Sequence, residues 1–159
     1  MLENPSPLLD PVALADLLGF ASTLDLGAAQ RAQEALESRF PFEGERIQAL
    51  GRALNEARLA GEICQRGGEG LRYSRLFPSS QASESLSADA VWMRILGPHH
   101  THPLGEINLC FATEGAPTFD GHGPGWTVYA PGSSHRPHVA GGAMMILYLL
   151  PEGAVEFGP

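Results

Sequence analysis

One segment of this 159-residue chain combines potential metal ligands with a strand-like pattern. It reads Gly97-Pro98-His99-His100-Thr101-His102-Pro103-Leu104-Gly105-Glu106-Ile107-Asn108-Leu109. Side chains alternate between the two faces of a β-strand, so His100, His102 and Glu106 can point the same way. Two imidazoles and a carboxylate on one face suit a divalent transition metal such as iron, manganese, zinc or nickel.

The other histidines supply further candidates, because all six lie between His99 and His138. Gly132 is expected to make a turn that delivers His135 as the fourth ligand from a neighbouring strand. His138 is the substitute ligand or, otherwise, a catalytic acid–base group. His122 lies in a glycine-rich loop, where it is either a catalytic group at the mouth of the site or a surface residue. His99 has the opposite strand parity and should face outward.

Composition predicts one domain and excludes several functions. The chain is 43% hydrophobic and 18% charged, with a net charge of −8. All 10 basic residues are arginine, and no stretch clusters them, so no nucleic-acid partner is expected. Without lysine, a Schiff base, a pyridoxal-phosphate site and a phosphate-binding loop ending in Gly-Lys-Ser/Thr are excluded.

The sequence also predicts a cytoplasmic protein with no membrane partner. The N-terminus lacks a basic start followed by an apolar run, which is the pattern of a signal peptide. The longest apolar stretch, Gly142–Leu150, is about half the length that a bilayer requires. Cys64 and Cys110 match no metal-binding or redox spacing and are expected to be reduced thiols.

Two regions of the chain differ in sequence pattern, and together they predict a mainly β protein of the α+β class. Residues 1–68 read as a helical extension, with helices after Asp10-Pro11, at about 27–39 and at about 45–66. Residues 69–159 carry short apolar runs between recurring glycines and prolines, as in a small antiparallel barrel or sandwich. The candidate strands are Leu71–Phe77, Ala90–Leu96, Glu106–Ala112, Trp126–Tyr129 and Ala143–Leu150.

These motifs resemble a known superfamily. The pattern His-x-His-x-x-x-Glu, followed downstream by Gly-x-x-His, is similar to the two metal-binding motifs of the cupins, which are small antiparallel jelly-roll barrels. The resemblance places His100, His102 and Glu106 on the first motif and His135 on the second. Ala130 and Val139 depart from the second motif, which normally has proline and asparagine there, but neither change removes a ligand.

Longer runs resemble the 4-hydroxylaminobenzoate lyase family within that superfamily. They are Glu106–Phe111, Phe119–Trp126, Tyr129–His138, Gly141-Gly142 and Leu147–Pro151. The resemblance implies a lyase that converts 4-hydroxylaminobenzoate to 3,4-dihydroxybenzoate with release of ammonia, in bacterial nitroaromatic degradation. Analogy with cupins further implies a homodimer.

A benzoate substrate requires a counter-charge, which must be arginine in this chain. We favour Arg94, because it shares the parity of the candidate ligands, and place the run Arg72-Tyr73-Ser74-Arg75 second. Trp126 is a candidate wall for the aromatic ring, and Tyr148 is a candidate wall or catalytic group. Asn108 either hydrogen-bonds the substrate or bridges strands.

Two other functions are compatible with the same sequence. One is a metal-dependent dioxygenase or isomerase that acts on a small aromatic or keto acid. The other is a non-catalytic sensor of a metal or small molecule, although the sequence contains no recognisable DNA-binding module.

Overall fold

A computed structural model describes residues 9–158, in which three helices precede the β region. They are Ala15–Ala21 (α1), Ala29–Arg39 (α2) and Glu45–Leu59 (α3), with a short 3-10 helix at Leu26–Ala28. The Asp10 carboxylate accepts a hydrogen bond from the backbone N–H of Ala13, so it caps a turn ahead of α1 and not α1 itself. The described helices include none long and apolar enough to cross a membrane.

The third helix ends earlier than the predicted boundary near residue 66. Its apolar repeat ends at Ala57, and Gly61 adopts a left-handed backbone with φ +76°. Glycine accepts that conformation without steric cost, so the chain leaves the helix there. The β region then begins at Arg66, three residues before the predicted start of this region at residue 69.

Nine antiparallel strands follow within the described residues, in two sheets. The larger sheet has the order β1-β2-β3-β8-β5-β6, and the smaller one has the order β7-β4-β9. The arrangement is jelly-roll-like, as the fold prediction requires, but the strands form two sheets and not one continuous barrel. The strands are Arg66–Gly68 (β1), Leu71–Phe77 (β2), Leu86–Met93 (β3), His100–His102 (β4), Glu106–Phe119 (β5), Gly125–Tyr129 (β6), Ser133–His135 (β7), Val139–Pro151 (β8) and Glu156–Phe157 (β9).

The larger sheet is covered on both faces, which explains why β8 is apolar throughout. Met145, Leu147 and Leu149 pack into the core that the sheet shares with the helices. Met144 and Ile146 pack into a second core on the opposite face. Because side chains alternate along each strand, one face of the sheet meets the helices and the other faces the polar site described below. We call these the helix face and the site face.

Candidate metal centre

Four potential ligands converge between the two sheets. His100 and His102 come from β4, His135 lies directly opposite His100 on β7, and Glu106 begins β5 of the larger sheet. One ligand atom from each of the four lies within 4.8 Å of the others. The centre therefore joins strands of both sheets.

Local backbone conformation explains how His135 reaches this position. Gly132 adopts φ +82°, a left-handed conformation that favours glycine. Its N–H donates a hydrogen bond to the carbonyl oxygen of His102 at 2.7 Å, which brings the turn against β4. The predicted role of Gly132 in the turn before His135 agrees with this geometry.

Four of the distances between the donor atoms are in the range expected around a single divalent metal ion. Nε2 of His102 lies 3.0 Å from Oε2 of Glu106, and Nε2 of His100 lies 3.3 Å from Nε2 of His135. The other two imidazole–Glu106 distances are 3.7 Å and 3.9 Å, from His100 and His135 respectively. Two donors about 2.1 Å from one ion are roughly 3.0 to 4.2 Å apart for bond angles between 90° and 180°.

Burial and hydrogen bonding support the same fit. Among the described residues, Nε2 of His102 is buried without a hydrogen-bond partner, which is costly unless another ligand satisfies it. Burial alone would raise the pKa of Glu106, but the imidazoles of His100 and His102 outweigh this effect and lower it. A buried carboxylate beside three imidazoles is a donor set for a divalent transition metal.

Hydrogen bonds from outside the cluster orient its imidazoles. Nδ1 of His135 lies 2.6 Å from Oδ2 of Asp120, and the Tyr129 hydroxyl donates to the same oxygen. Nδ1 of His102 lies 3.0 Å from the Ser133 hydroxyl. In both imidazoles a partner at Nδ1 leaves Nε2 facing the cluster, as in many metal-binding histidines.

Asp120 and Tyr129 were not recognised as site residues from the sequence. Asp120 is separated from His135 by a glycine-rich loop and by β6, and its contact depends on how β5 and β7 come together. It lies in a turn with φ +49°, a conformation in which aspartate and asparagine are enriched. That turn was visible in the sequence as Asp120-Gly121, but nothing there indicated its partner.

A pocket of about 670 Å³ opens beside the cluster on the site face. His100 and Glu106 form its polar end, and Val91, Met93 and Tyr148 line its apolar wall. Burial and the charge of Glu106 raise the pKa of Tyr148 far above its usual range, so the phenol stays protonated. Its predicted place beside the site agrees with the structure.

Several predicted binding residues lie elsewhere. Trp126 faces the helix side of the sheet, where its indole N–H donates to the carbonyl oxygen of Phe40. Arg72 also points away from the pocket, and its guanidinium donates to the carbonyl oxygens of Cys64 and Gln65. Side chains alternate between the two faces of a sheet, and both residues are on the helix face, whereas the pocket is on the site face. Their predicted positions beside the substrate are therefore corrected.

Arg94 and Asn108 were also predicted to bind the substrate, but neither lines the pocket, for different reasons. Arg94 follows the last residue of β3 and lies 3.8 Å from Glu69 at the surface, outside the pocket. Strand parity cannot be carried from one strand to another through a loop, and this is why the comparison with His100 failed. Asn108 is fully buried and does not line the pocket, but its amide donates to Oε2 of Glu106 at 3.1 Å.

The two remaining histidine candidates are exposed. Neither His122 nor His138 lines the pocket, so His122 lies where the surface alternative places it, and a catalytic role for either histidine stays a prediction. The backbone N–H of His138 donates to Oδ1 of Asp120 at 2.8 Å, so its contribution here comes from the main chain. Two other arginines do line the pocket: Arg75, at the end of the run predicted as second choice, and Arg66, which was not a predicted site residue.

Fold and site together define a cupin-type protein with a candidate metal centre of three histidines and one glutamate. Residues 18–157 match the family model for 4-hydroxylaminobenzoate lyase, and the chain belongs to that family.

Two curated relatives carry the same name. The 4-hydroxylaminobenzoate lyase of Pseudomonas putida is 37% identical over 65 residues, which are 38% of this chain and 37% of that protein. The one from Nocardioides sp. (strain LMS-CY) is 36% identical over 99 residues, covering 56% of this chain and 59% of the relative. The chain thus spans less than two thirds of the length of either relative.

Solved structures that match part of this chain include two of low sequence identity. An RmlC-like cupin protein from Ralstonia eutropha has a TM-score of 0.44 and 10% identity, covering 61% of this chain and 65% of that chain. A mutant of Bacillus subtilis oxalate decarboxylase has a TM-score of 0.46 and 15% identity, covering 60% of this chain and 31% of that chain.

Proposed function

We propose that this protein is a lyase that converts 4-hydroxylaminobenzoate and water to 3,4-dihydroxybenzoate and ammonia, as a step in nitroaromatic degradation. One observation carries the proposal: in a chain of this family, the four-ligand cluster opens through His100 and Glu106 onto an apolar-walled pocket. An aromatic ring fits such walls, and its reacting substituent would lie against the polar end.

The four ligands would hold one divalent ion, which we propose to be iron, manganese, zinc or nickel. When bound, such an ion supplies Lewis acidity at the polar end of the pocket. His100, His102, Glu106 and His135 are the proposed ligands. Asp120 and Ser133 would hold two of the imidazoles in the tautomer that leaves Nε2 free.

The proposed reaction needs no external oxidant. The N–O bond, the C–N bond and one ring C–H bond next to the C–N carbon break, two ring C–O bonds form, and one water supplies the additional oxygen. The nitrogen is reduced to the level of ammonia while the ring is oxidised, so the electrons balance within the substrate. The departing nitrogen gains its two protons from the ring C–H and from the water, and the Tyr148 hydroxyl at the pocket wall is its proposed hydrogen-bond donor.

An anaerobic assay tests this proposal. The purified protein is expected to form 3,4-dihydroxybenzoate and ammonia in a 1:1 ratio without oxygen and to lose activity on chelation. His100→Ala and Glu106→Gln should abolish turnover and lower metal content. Glu114→Gln is the matched control, because Glu114 lies on the same strand but is exposed.

Three outcomes would contradict the proposal. An absolute requirement for oxygen would indicate a dioxygenase. Binding of the substrate without turnover would indicate a sensor. Full activity and full metal content in both His100→Ala and Glu106→Gln would remove the cluster from the mechanism.

A further inference from the structure

The pocket has a second polar end, which the metal centre does not use. Arg66 and Arg75 line it on β1 and β2, at the edge of the larger sheet. Arg66 pairs with Tyr73, so Arg75 is its diagonal neighbour on the same face. Such neighbours lie about 7–8 Å apart, close enough for two long side chains to reach one group.

Arg75 is held in a fixed orientation. Its Nε donates to Oδ1 of Asp89 at 2.7 Å, and its Nη2 donates to Oδ2 at 3.2 Å. This side-on pair uses one edge of the guanidinium. Among the described residues Nη1 has no hydrogen-bond partner, so the end formed by the two terminal nitrogens retains donors for another group.

Strand register places Arg75 across the pocket from the metal centre. Arg75 pairs with Asp89, Asp89 with Tyr148, and Tyr148 with Asn108, which contacts Glu106. This row crosses four adjacent strands, which corresponds to about 14 Å between the Cα atoms at its ends. Side chains from both ends shorten this distance, and Asp89 and Tyr148 lie between them in the row.

We propose that Arg75, oriented by Asp89, binds the carboxylate of the substrate and thereby selects aromatic acids whose reacting group is opposite the carboxylate. Arg66 adds a second positive charge at the same end. Among residues 9–158 Arg66 forms no ion pair, so its charge is not neutralised there. This inference rests on the proposed function and assigns the residue that determines its specificity.

Several observations favour Arg75 over the other arginines as the anchor. A guanidinium that is already fixed loses less conformational freedom when it binds a carboxylate, and its planar fork matches the two oxygens. Arg66 is exposed on a three-residue edge strand and has no such support. Arg72 and Arg94 lie outside the pocket, as described above.

Comparing the binding of a charged analogue with that of an uncharged one tests the inference without turnover. The probes are 4-hydroxybenzoate and 4-hydroxybenzamide, which differ in the carboxylate alone. Titration calorimetry on the metal-loaded protein should show at least about tenfold tighter binding of the acid, because hydrogen bonds to charged groups are strong. Arg75→Gln should abolish this preference, and Arg75→Lys should retain part of it.

Two further variants separate anchoring from general effects. Asp89→Asn keeps the charge of Arg75 but weakens its support, so it should raise KM more than it lowers kcat. Arg52→Gln removes an arginine that is ion-paired with Glu45 on α3, away from the pocket, and should leave the preference unchanged. Circular dichroism and thermal unfolding establish that each variant is folded.

The outcomes distinguish this inference from the proposed function. If Arg75→Gln is folded and still prefers the acid, or if the wild type shows no preference, the inference is wrong even where turnover is normal. If the preference depends on Arg75 but 4-hydroxylaminobenzoate is not converted, the proposed function fails and the carboxylate site remains. Loss of the preference in Arg66→Gln but not in Arg75→Gln would assign the anchor to Arg66 and overturn our choice.

Discussion

Replacing Asp120 with asparagine is expected to weaken metal binding by reversing the tautomer of His135. Oδ1 of Asp120 accepts a hydrogen bond from the backbone N–H of His138, and only the amide oxygen of asparagine can replace it. The NH2 group must then take the place of Oδ2, where it faces Nδ1 of His135 and the Tyr129 hydroxyl. Nδ1 becomes an acceptor, and the proton moves to Nε2, the atom that faces the cluster.

The magnitude follows from the role of such partners in other metal sites. Loss of a hydrogen bond that orients a ligand typically weakens metal affinity 10- to 100-fold, which is about 1.4 to 2.8 kcal/mol. Backbone strain should not add to this effect. Asp120 has φ +49°, and asparagine adopts that left-handed conformation as readily as aspartate.

The assay is a competition titration of metal-free protein with Zn²⁺ in the presence of a chromophoric chelator. Thermal unfolding of the metal-free proteins shows whether the fold is retained. Tyr129→Phe is the matched control, because it removes one hydrogen bond to Asp120 but leaves the carboxylate that sets the His135 tautomer. Its loss of affinity should be much smaller. If Asp120→Asn binds Zn²⁺ as tightly as the wild type, the assigned role of Asp120 is wrong.

Two other predictions concern stability and thiol chemistry. Gly51→Ala should destabilise the protein by about 1–3 kcal/mol, because the added Cβ would lie 2.5 Å from the Phe111 ring. Gly19→Ala, with nothing within 4 Å, should instead stabilise it by up to about 1 kcal/mol, and urea unfolding that gives both variants the same sign would contradict this contrast. Burial raises the pKa of Cys64 to about 11 and that of Cys110 well above its usual range. Both thiols should therefore resist iodoacetamide at pH 8 in the native protein and react in urea, whereas rapid native modification would count against this account of their burial.

The ligand spacing illustrates what a local pattern can predict. His100 and His102 are separated by one residue on a strand, so their shared face follows from backbone geometry alone. The residues of β8 from Ala143 to Leu150 are apolar at successive positions, a pattern typical of a strand covered on both faces, and two separate cores cover it. These features depend on neighbours in the chain, which the sequence records directly.

The substrate-binding residues illustrate the limit of the same reasoning. Parity along one strand says nothing about the parity of the next, because the intervening loop and any bulge reset it. Arg94 was selected by such a comparison, yet it lies beyond the end of β3. Arg75 reaches the pocket because its strand pairs with β3 in a particular register, and a single sequence does not contain that register.

The amino-acid sequence by itself determined the class of fold, the candidate ligands His100, His102, Glu106 and His135, and the exclusion of lysine chemistry. Periodicity, spacing and composition are properties of the chain before it folds. Only the tertiary structure decided that Asp120 supports His135 and that Arg75 lies across the pocket from the cluster. Those contacts join strands that are distant in the chain, so they exist only once strand pairing has brought the two sheets together.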